Sequence, residues 1–414
     1  MKRRTFIRSA ARASAGLAAA SFAAPAIAQG RFKWKLITAW PKNFPAIGTG
    51  TQRIADSIRE MSDGRLEVKV YGGGELVPPF EVFDAVREGI SEMGHDAPYY
   101  WIAKHSAMPF FCSVPGGLTA PEHAAWVHFG GGQALWDELY AGFGLKVFLA
   151  GSGGSNVGGW FRKEMNGLAD FKGLRMRIPG LGGEVMTRLG AVPINLPGAE
   201  ILPALQTGAI DAAEWVAPYN DLAFGFHKVA KFYYAPGVHE PGPALGLTIN
   251  AEAFRELPSD LKAIVKRAAG DEAFRMLCEM TVGNAEALGV LLEKYKVQLR
   301  RFPPEVYGAM LAAGAGVGLA GGVVPPGVTV ALRVVHLGVL QGDDPVPIVR
   351  VSNPAKGGVN GHVVTDPVVG HVGGLTLGPG KVPQQAVVVG GRFDPRVMGV
   401  VPATQQAELL LQQA

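Results

Sequence analysis

The segment from Leu174 to Glu240 carries the side chains best suited to hold a small anion beside a cation. It opens with LRMRIPG (174–180), passes through ALQTGAIDAAEW (204–215) and reaches GVHEPGP (237–243). Arginine presents a planar fork that matches a carboxylate in two parallel hydrogen bonds, whereas lysine provides only a point charge. Arg175 and Arg177 lie two apart on one candidate strand and share a face, so alternation does not rank them. Glu214 and Glu240 offer carboxylate oxygens of the kind hard cations take. Trp215 follows Glu214 and should point the other way along a strand; if the strand has already ended, its carbonyl can face a metal while its indole walls a pocket. Asn156, in GSGGSNVGGWF (151–161), can coordinate a cation through oxygen or donate to a carboxylate.

Other chemistries lack their residues. The glycines at 151–159 have neither the GxGxxG spacing nor a Gly-Lys-Ser/Thr ending, so they read as a crossing between two domains rather than a phosphate loop. There is no GxSxG elbow, HExxH helix or Cys/His ligand set. Glu214 and Glu240 could act as acid and base, but nothing marks a nucleophile or a leaving-group site. A binding protein is therefore expected rather than an enzyme, with an exported enzyme acting on a small carboxylic acid as the alternative.

The elements that must position these groups follow a strand-helix rhythm. FKWKLITA (32–39) and RLEVKVY (65–71) alternate as strands, residues 49–61 and 79–87 as helices, and an apolar stretch from Ile90 to Met93 completes the series. Ligands of open α/β sheets sit beyond the carboxyl ends of strands, which brings Tyr99 or Tyr100 of DAPYYW (96–101) to a cleft, Tyr100 being preferred. LKVFLA (145–150) reads as a buried strand before the crossing, and a second α/β unit runs through strands at 174–178, 192–194 and 209–215, with helices at 182–189 and 199–207. The expected fold class is α/β with largely parallel sheets, two lobes and a ligand cleft between them. PGPALGLTIN (241–250) reads as a strand returning to the first lobe. A long amphipathic helix follows from Ser259, expected as its cap, to about Lys296. Its buried face is expected to hold Leu261, Ile264, Val265 and Ala268, then Phe274, Leu277, Cys278, Val282 and Leu288.

The N-terminus reads as a signal peptide over residues 1–28. A basic KRRTFIR start, an Ala-rich run and Ala26-Ile27-Ala28 supply its three parts, and Arg3-Arg4-Thr5-Phe6-Ile7 resembles a twin-arginine signal. Its loss removes five cations and turns a formal charge of +4 into −1, which argues against a nucleic-acid partner. Cys112 and Cys278 are expected as buried thiols rather than a bridge.

At LRMRIPG, ALQTGAIDAAEW, PYNDLAFGF (218–226) and the strand-helix stretch that follows, the chain resembles the substrate-binding proteins of tripartite ATP-independent periplasmic (TRAP) transporters over about Phe32 to Tyr307. It looks most similar to the branch that takes 2-oxo or 2-hydroxy monocarboxylates such as pyruvate or lactate as a metal-ion complex. The resemblance implies a periplasmic protein that delivers its ligand to membrane subunits, and in some members a homodimer. It selects Arg177 as the grip on the substrate carboxylate and places Asn156, Glu214, Trp215 and Glu240 around metal and ligand. With both glutamates inward, protein and substrate together would carry −2, which calcium neutralises; with Glu240 in solvent, sodium becomes reasonable.

These readings divide the chain into the signal peptide, lobe I (29–152), lobe II (153–243), a returning strand with long helices (244–310), and a tail (311–414). The tail is rich in Gly, Val and Pro and has no glutamate between Glu305 and Glu408, where the family would place helices rich in Leu, Ala, Glu and Lys. A reading-frame shift near Ala312 is the hypothesis, a genuine extra domain the alternative. With such a shift, stability and dimerisation would be in doubt even where the pocket residues survive.

Overall fold

A computed structural model describes residues 30–320, with side chains to Val317; the expected signal peptide and the tail beyond Ala320 lie outside the described residues. In chain order the elements are β1 (Phe32–Thr38), α1 (Ile47–Met61), β2 (Leu66–Tyr71), α2 (Val82–Arg87), β3 (Met93–Asp96), α3 (Ala120–Phe129), α4 (Gly132–Ala141), β4 (Leu145–Ser152) and β5 (Gly159–Phe161). There follow β6 (Arg175–Arg177), α5 (Gly180–Arg188), β7 (Val192–Ile194), α6 (Gly198–Thr207), β8 (Ala212–Ala213), α7 (Pro218–Phe224) and β9 (Phe232–Tyr234). Next come β10 (Ala244–Asn250), α8 (Ala251–Glu256), α9 (Ser259–Glu293), β11 (Gln298–Arg300) and α10 (Pro304–Ala320).

The strands form two sheets, ordered β2-β1-β3-β10-β4 and β11-β9-β5-β8-β6-β7. β1 pairs in parallel with β2 and β3, whereas β10 runs antiparallel to β3 and β4. The first sheet is thus mixed, not largely parallel. The chain leaves it at the carboxyl end of β4 through residues 153–158 and returns at that same end through residues 235–243, so β10 must run the other way. The second sheet is mixed too, β5 being antiparallel to β8 and β9. Both passages between sheets converge on the ends of β6 and β8, where the candidate residues lie.

The inner strands β1 and β10 are buried on both faces, whereas the edge strand β2 alternates. Leu36 and Ile37 of β1, Val70 of β2 and Leu247 and Ile249 of β10 are buried, whereas Glu67 and Lys69 remain outside. The third strand is Met93–Asp96 rather than Ile90–Met93, and Ile90 is exposed. Helix α9 is a single helix of 35 residues packed on β4, α1 and α7. Ser259 is its first residue, and Pro258 stands in the cap position without a side-chain cap. In its second half the expected Leu288 is buried together with Met276, Met280, Gly283 and Ala287, whereas Phe274, Cys278 and Val282, also expected inside, are exposed. The buried face includes Glu272, which Arg53 of α1 engages in two hydrogen bonds of 2.6 and 2.9 Å, so a charged residue fills one core position of the helix. Cys112 is buried and Cys278 exposed, both as free thiols.

Helix α10 continues the packed structure beyond residue 310. Val306, Met310 and Val317 bury against the second-sheet core, and Arg188 of α5 donates to the Ala313 carbonyl at 3.3 Å. Among the described residues no helix is long and apolar enough to cross a membrane.

Candidate functional site

β6 ends at Arg177, and its guanidinium is fully buried. Nε donates to the Leu196 carbonyl at 3.1 Å, Nη1 donates to the Glu214 carbonyl at 2.6 Å, and the guanidinium carbon lies 4.8 Å from the Trp215 ring centroid. Nη2 has no protein partner. Arg175, on the same strand, is instead half-exposed and paired with Asp211 at 2.8 Å. The two arginines are thereby told apart by depth: Arg177 stands at the strand end nearest the crossings, Arg175 at the rim.

β8 is only two residues long, so Glu214 and Trp215 lie past its end. Alternation therefore does not force them apart. The Glu214 amide donates to the Arg177 carbonyl at 2.9 Å and its side chain turns inward, while the Trp215 indole packs under the Arg177 guanidinium. The indole fits because Gly198 opens α6 there: a Cβ on Gly198 would lie 2.5 Å from the indole ring. Asp221 of α7 accepts from Trp160 Nε1 at 2.9 Å and Tyr233 Oη at 2.7 Å, and from the Val216 amide at 3.4 Å, fixing the backbone beside Trp215.

Asn156 and Glu240 come from the two separate crossings and are joined directly. The Asn156 amide donates to the Glu240 carbonyl at 3.0 Å, and its side-chain amide donates to the Glu240 carboxylate and, at 3.4 Å, to Glu214 Oε1. Behind them, Gly158 donates to the Tyr234 carbonyl at 2.7 Å. Gly159 has φ 112° and lies so close to β8 that a Cβ would stand 2.7 Å from the Ala213 carbonyl oxygen, a position only glycine fills. Glu240 is buried, not solvated.

His239, which the residue reading passed over, completes the group. Its Nε2 lies 3.1 Å from Glu240 Oε1 and 3.6 Å from Glu214 Oε2. One ligand atom from each of Glu214, His239 and Glu240 falls within 4.8 Å of the others, the sole such buried set among the described residues. The signal was its adjacency to Glu240 in GVHEPGP, but a single histidine beside an acid carries no spacing pattern that ranks it.

On the other wall, Pro98–Trp101 forms one turn of 3-10 helix after β3. Tyr100 is half-buried against Phe80, and Tyr99 is buried with its ring 6.2 Å from His239. Burial raises both phenols. For Tyr100, lifted to about 12, Arg177 opposes the rise; for Tyr99 the Glu240 carboxylate adds to it. Both rings therefore sense the cluster, Tyr99 being the one not preferred from sequence.

The cluster's electrostatics call for a cation and an anion together. Burial, then the Glu240 charge, pushes the Glu214 carboxyl up, against the pull of His239 and Arg177. Burial disfavours protonated His239, but Glu240 and Glu214 outweigh it and raise its pKa. Arg177 Nη2 is a buried donor without acceptor, while Asn156 Oδ1 and Glu240 Oε1 are buried acceptors without donor. Leaving such groups unsatisfied costs about 1–3 kcal/mol each, more when charged. An anion on the first and a cation on the others would remove that cost, so the residues present fit both.

Known proteins share this arrangement of elements. Residues 38–317 match the family described as bacterial extracellular solute-binding protein, family 7 (DctP). A monocarboxylate 2-oxoacid-binding periplasmic protein of Nostoc sp. is 47% identical over 262 residues, covering 63% of this chain and 71% of the relative. A TRAP periplasmic solute-binding protein of Pseudoalteromonas atlantica T6c, solved with bound sodium and pyruvate, is 41% identical with a TM-score of 0.68, over 70% of this chain and 88% of that one. Its counterpart from Colwellia psychrerythraea, with bound calcium and pyruvate, is 41% identical with a TM-score of 0.68, over 69% and 88%. The family-wide match, the two-lobed mixed α/β fold and these similarities together show that the chain belongs to family 7 of the bacterial extracellular solute-binding proteins, the TRAP transport family, and not to a family of enzymes.

Proposed function

We propose that this protein captures a small 2-oxo or 2-hydroxy monocarboxylate, pyruvate or lactate in size, together with a metal ion, and hands it to TRAP membrane subunits in the periplasm. The observation that carries this reading is the unpartnered Nη2 of buried Arg177 beside two buried glutamates. Arg177 takes the carboxylate, with Asn156, Tyr100 and Trp215 lining it. Glu214, Glu240, Asn156 and the Trp215 carbonyl hold the cation, which neutralises the buried acids and polarises the ligand's second oxygen. The relatives solved with pyruvate and sodium or calcium support this reading.

Calcium is favoured because two inward carboxylates, one arginine and a bound carboxylate leave −2 to neutralise. Protonated His239 would leave −1, for which sodium suffices. The signal peptide at 1–28, with its twin-arginine start, supplies export in this reading, and the division into lobes at 29–152 and 153–243 supplies the cleft. Closure of those lobes on the ligand is the working motion. The test is thermal unfolding of the purified protein with pyruvate or lactate, in calcium and in chelator. A binder gains melting temperature only with the ion and leaves the acid unconsumed; turnover of the acid would favour the exported-enzyme alternative.

A further inference from the structure

His239 is wedged between the acids and a helix. Its Nε2 edge faces Glu240 Oε1 at 3.1 Å and Glu214 Oε2 at 3.6 Å, and its opposite edge lies on the first turn of α5. The helix residue it meets is Gly182. A Cβ built there would stand 2.1 Å from His239 Nδ1 and 2.7 Å from Cγ and Cε1, far inside contact distance. Gly182 is not among the residues of positive φ, so its backbone does not require glycine; only the ring does.

We propose that Gly182 is a positioning residue for the cation site, acting through His239. The missing side chain leaves a seat in α5 that keeps the imidazole back from the space between Glu214 and Glu240. A methyl group at 182 would displace the ring by about 1 Å or more, because buried side chains pack without slack. The neighbours on the far side are the two carboxylates, so the ring would move into the volume a cation needs. The effect on ligand capture rests on the function proposed above; the packing relation does not.

The experiment is a double-mutant cycle on the full chain with G182A, H239A and G182A/H239A. Glycine-to-alanine inside a helix ordinarily raises stability. Here G182A is expected to lower the melting temperature of the ligand-free protein, and the same change made in the H239A background is expected to raise it. By calorimetry with pyruvate in calcium buffer, G182A weakens binding tenfold or more, and G182A/H239A binds no worse than H239A. Should G182A fail to fold, the double variant must still fold as H239A does. The proposal is overturned if G182A raises the melting temperature, or if its penalty persists undiminished without the imidazole. Wild-type protein that ignores pyruvate would sink the functional reading alone, and the melting cycle would still decide the role of Gly182.

Discussion

Arg177 meets Glu214 through both its backbone and its charge: Nη1 donates to the Glu214 carbonyl at 2.6 Å and to its carboxylate Oε2 at 3.4 Å. The carbonyls of Glu214 and Leu196 fix the guanidinium's orientation through Nη1 and Nε, the groups that face the protein. The unpartnered Nη2 is the consequence, and it is what makes the position suited to a ligand.

Shortening that fork should be costly. R177K keeps the charge but cannot donate at once to both carbonyls and to a carboxylate. Its affinity for pyruvate should fall by about 2–4 kcal/mol, the worth of one or two charge-assisted hydrogen bonds. Calorimetry in calcium buffer checks this, and affinity within threefold of wild type would contradict it.

Glu240 should set the ion requirement. E240Q keeps the shape and the link to Asn156 but removes one negative charge from the cluster. The calcium-induced rise in melting temperature in the presence of pyruvate should shrink to less than half, and discrimination against sodium should weaken with it. An undiminished calcium response would place the ion elsewhere.

The α1–α9 clasp should matter for stability. Arg53 bonds Glu272, which is almost wholly buried, and also pairs with Glu279 at 2.7 Å. R53A strands a buried carboxylate and should cost about 3 kcal/mol in chemical denaturation. E279Q, at the exposed edge, should cost less than about 1 kcal/mol.

Asp96 provides a pH signature away from the site. It accepts from Trp101 Nε1 at 2.9 Å and Thr248 at 3.3 Å, yet burial lifts its pKa to about 7 from 3.8. Between those values the folded protein holds a proton that the unfolded chain has released, so this group's contribution falls as pH rises from about 4 to 7. D96N removes that slope. Its stability relative to wild type should therefore improve by a few kcal/mol on going from pH 4 to pH 8, read by denaturation at each pH; a pH-independent difference would contradict the assignment.

Much of this was legible because burial leaves a period in the sequence. β1 and β2 read as strands from their alternation, β10 as a strand returning to the first lobe, and GSGGSNVGG as a crossing from its glycines. What misled was burial achieved by pairing rather than by apolar character. Glu272 lies in the core because Arg53 neutralises it, so the pattern of α9 was assigned to Phe274 and Val282 on the wet side. β8 ends after two residues, and only its end frees Glu214 and Trp215 to approach the same guanidinium, that of Arg177. His239 was missed, and Tyr99 was named but ranked below Tyr100, because their approach to Glu240 and to each other is tertiary and no local spacing records it.

The most direct test is a crystal structure of the protein grown with pyruvate and calcium. The account predicts the carboxylate at hydrogen-bond distance from Arg177 Nη2 and one cation bound by Glu214, Glu240 and the ligand's second oxygen. Pyruvate seated away from Arg177, or bound there with no cation between the two glutamates, would contradict it.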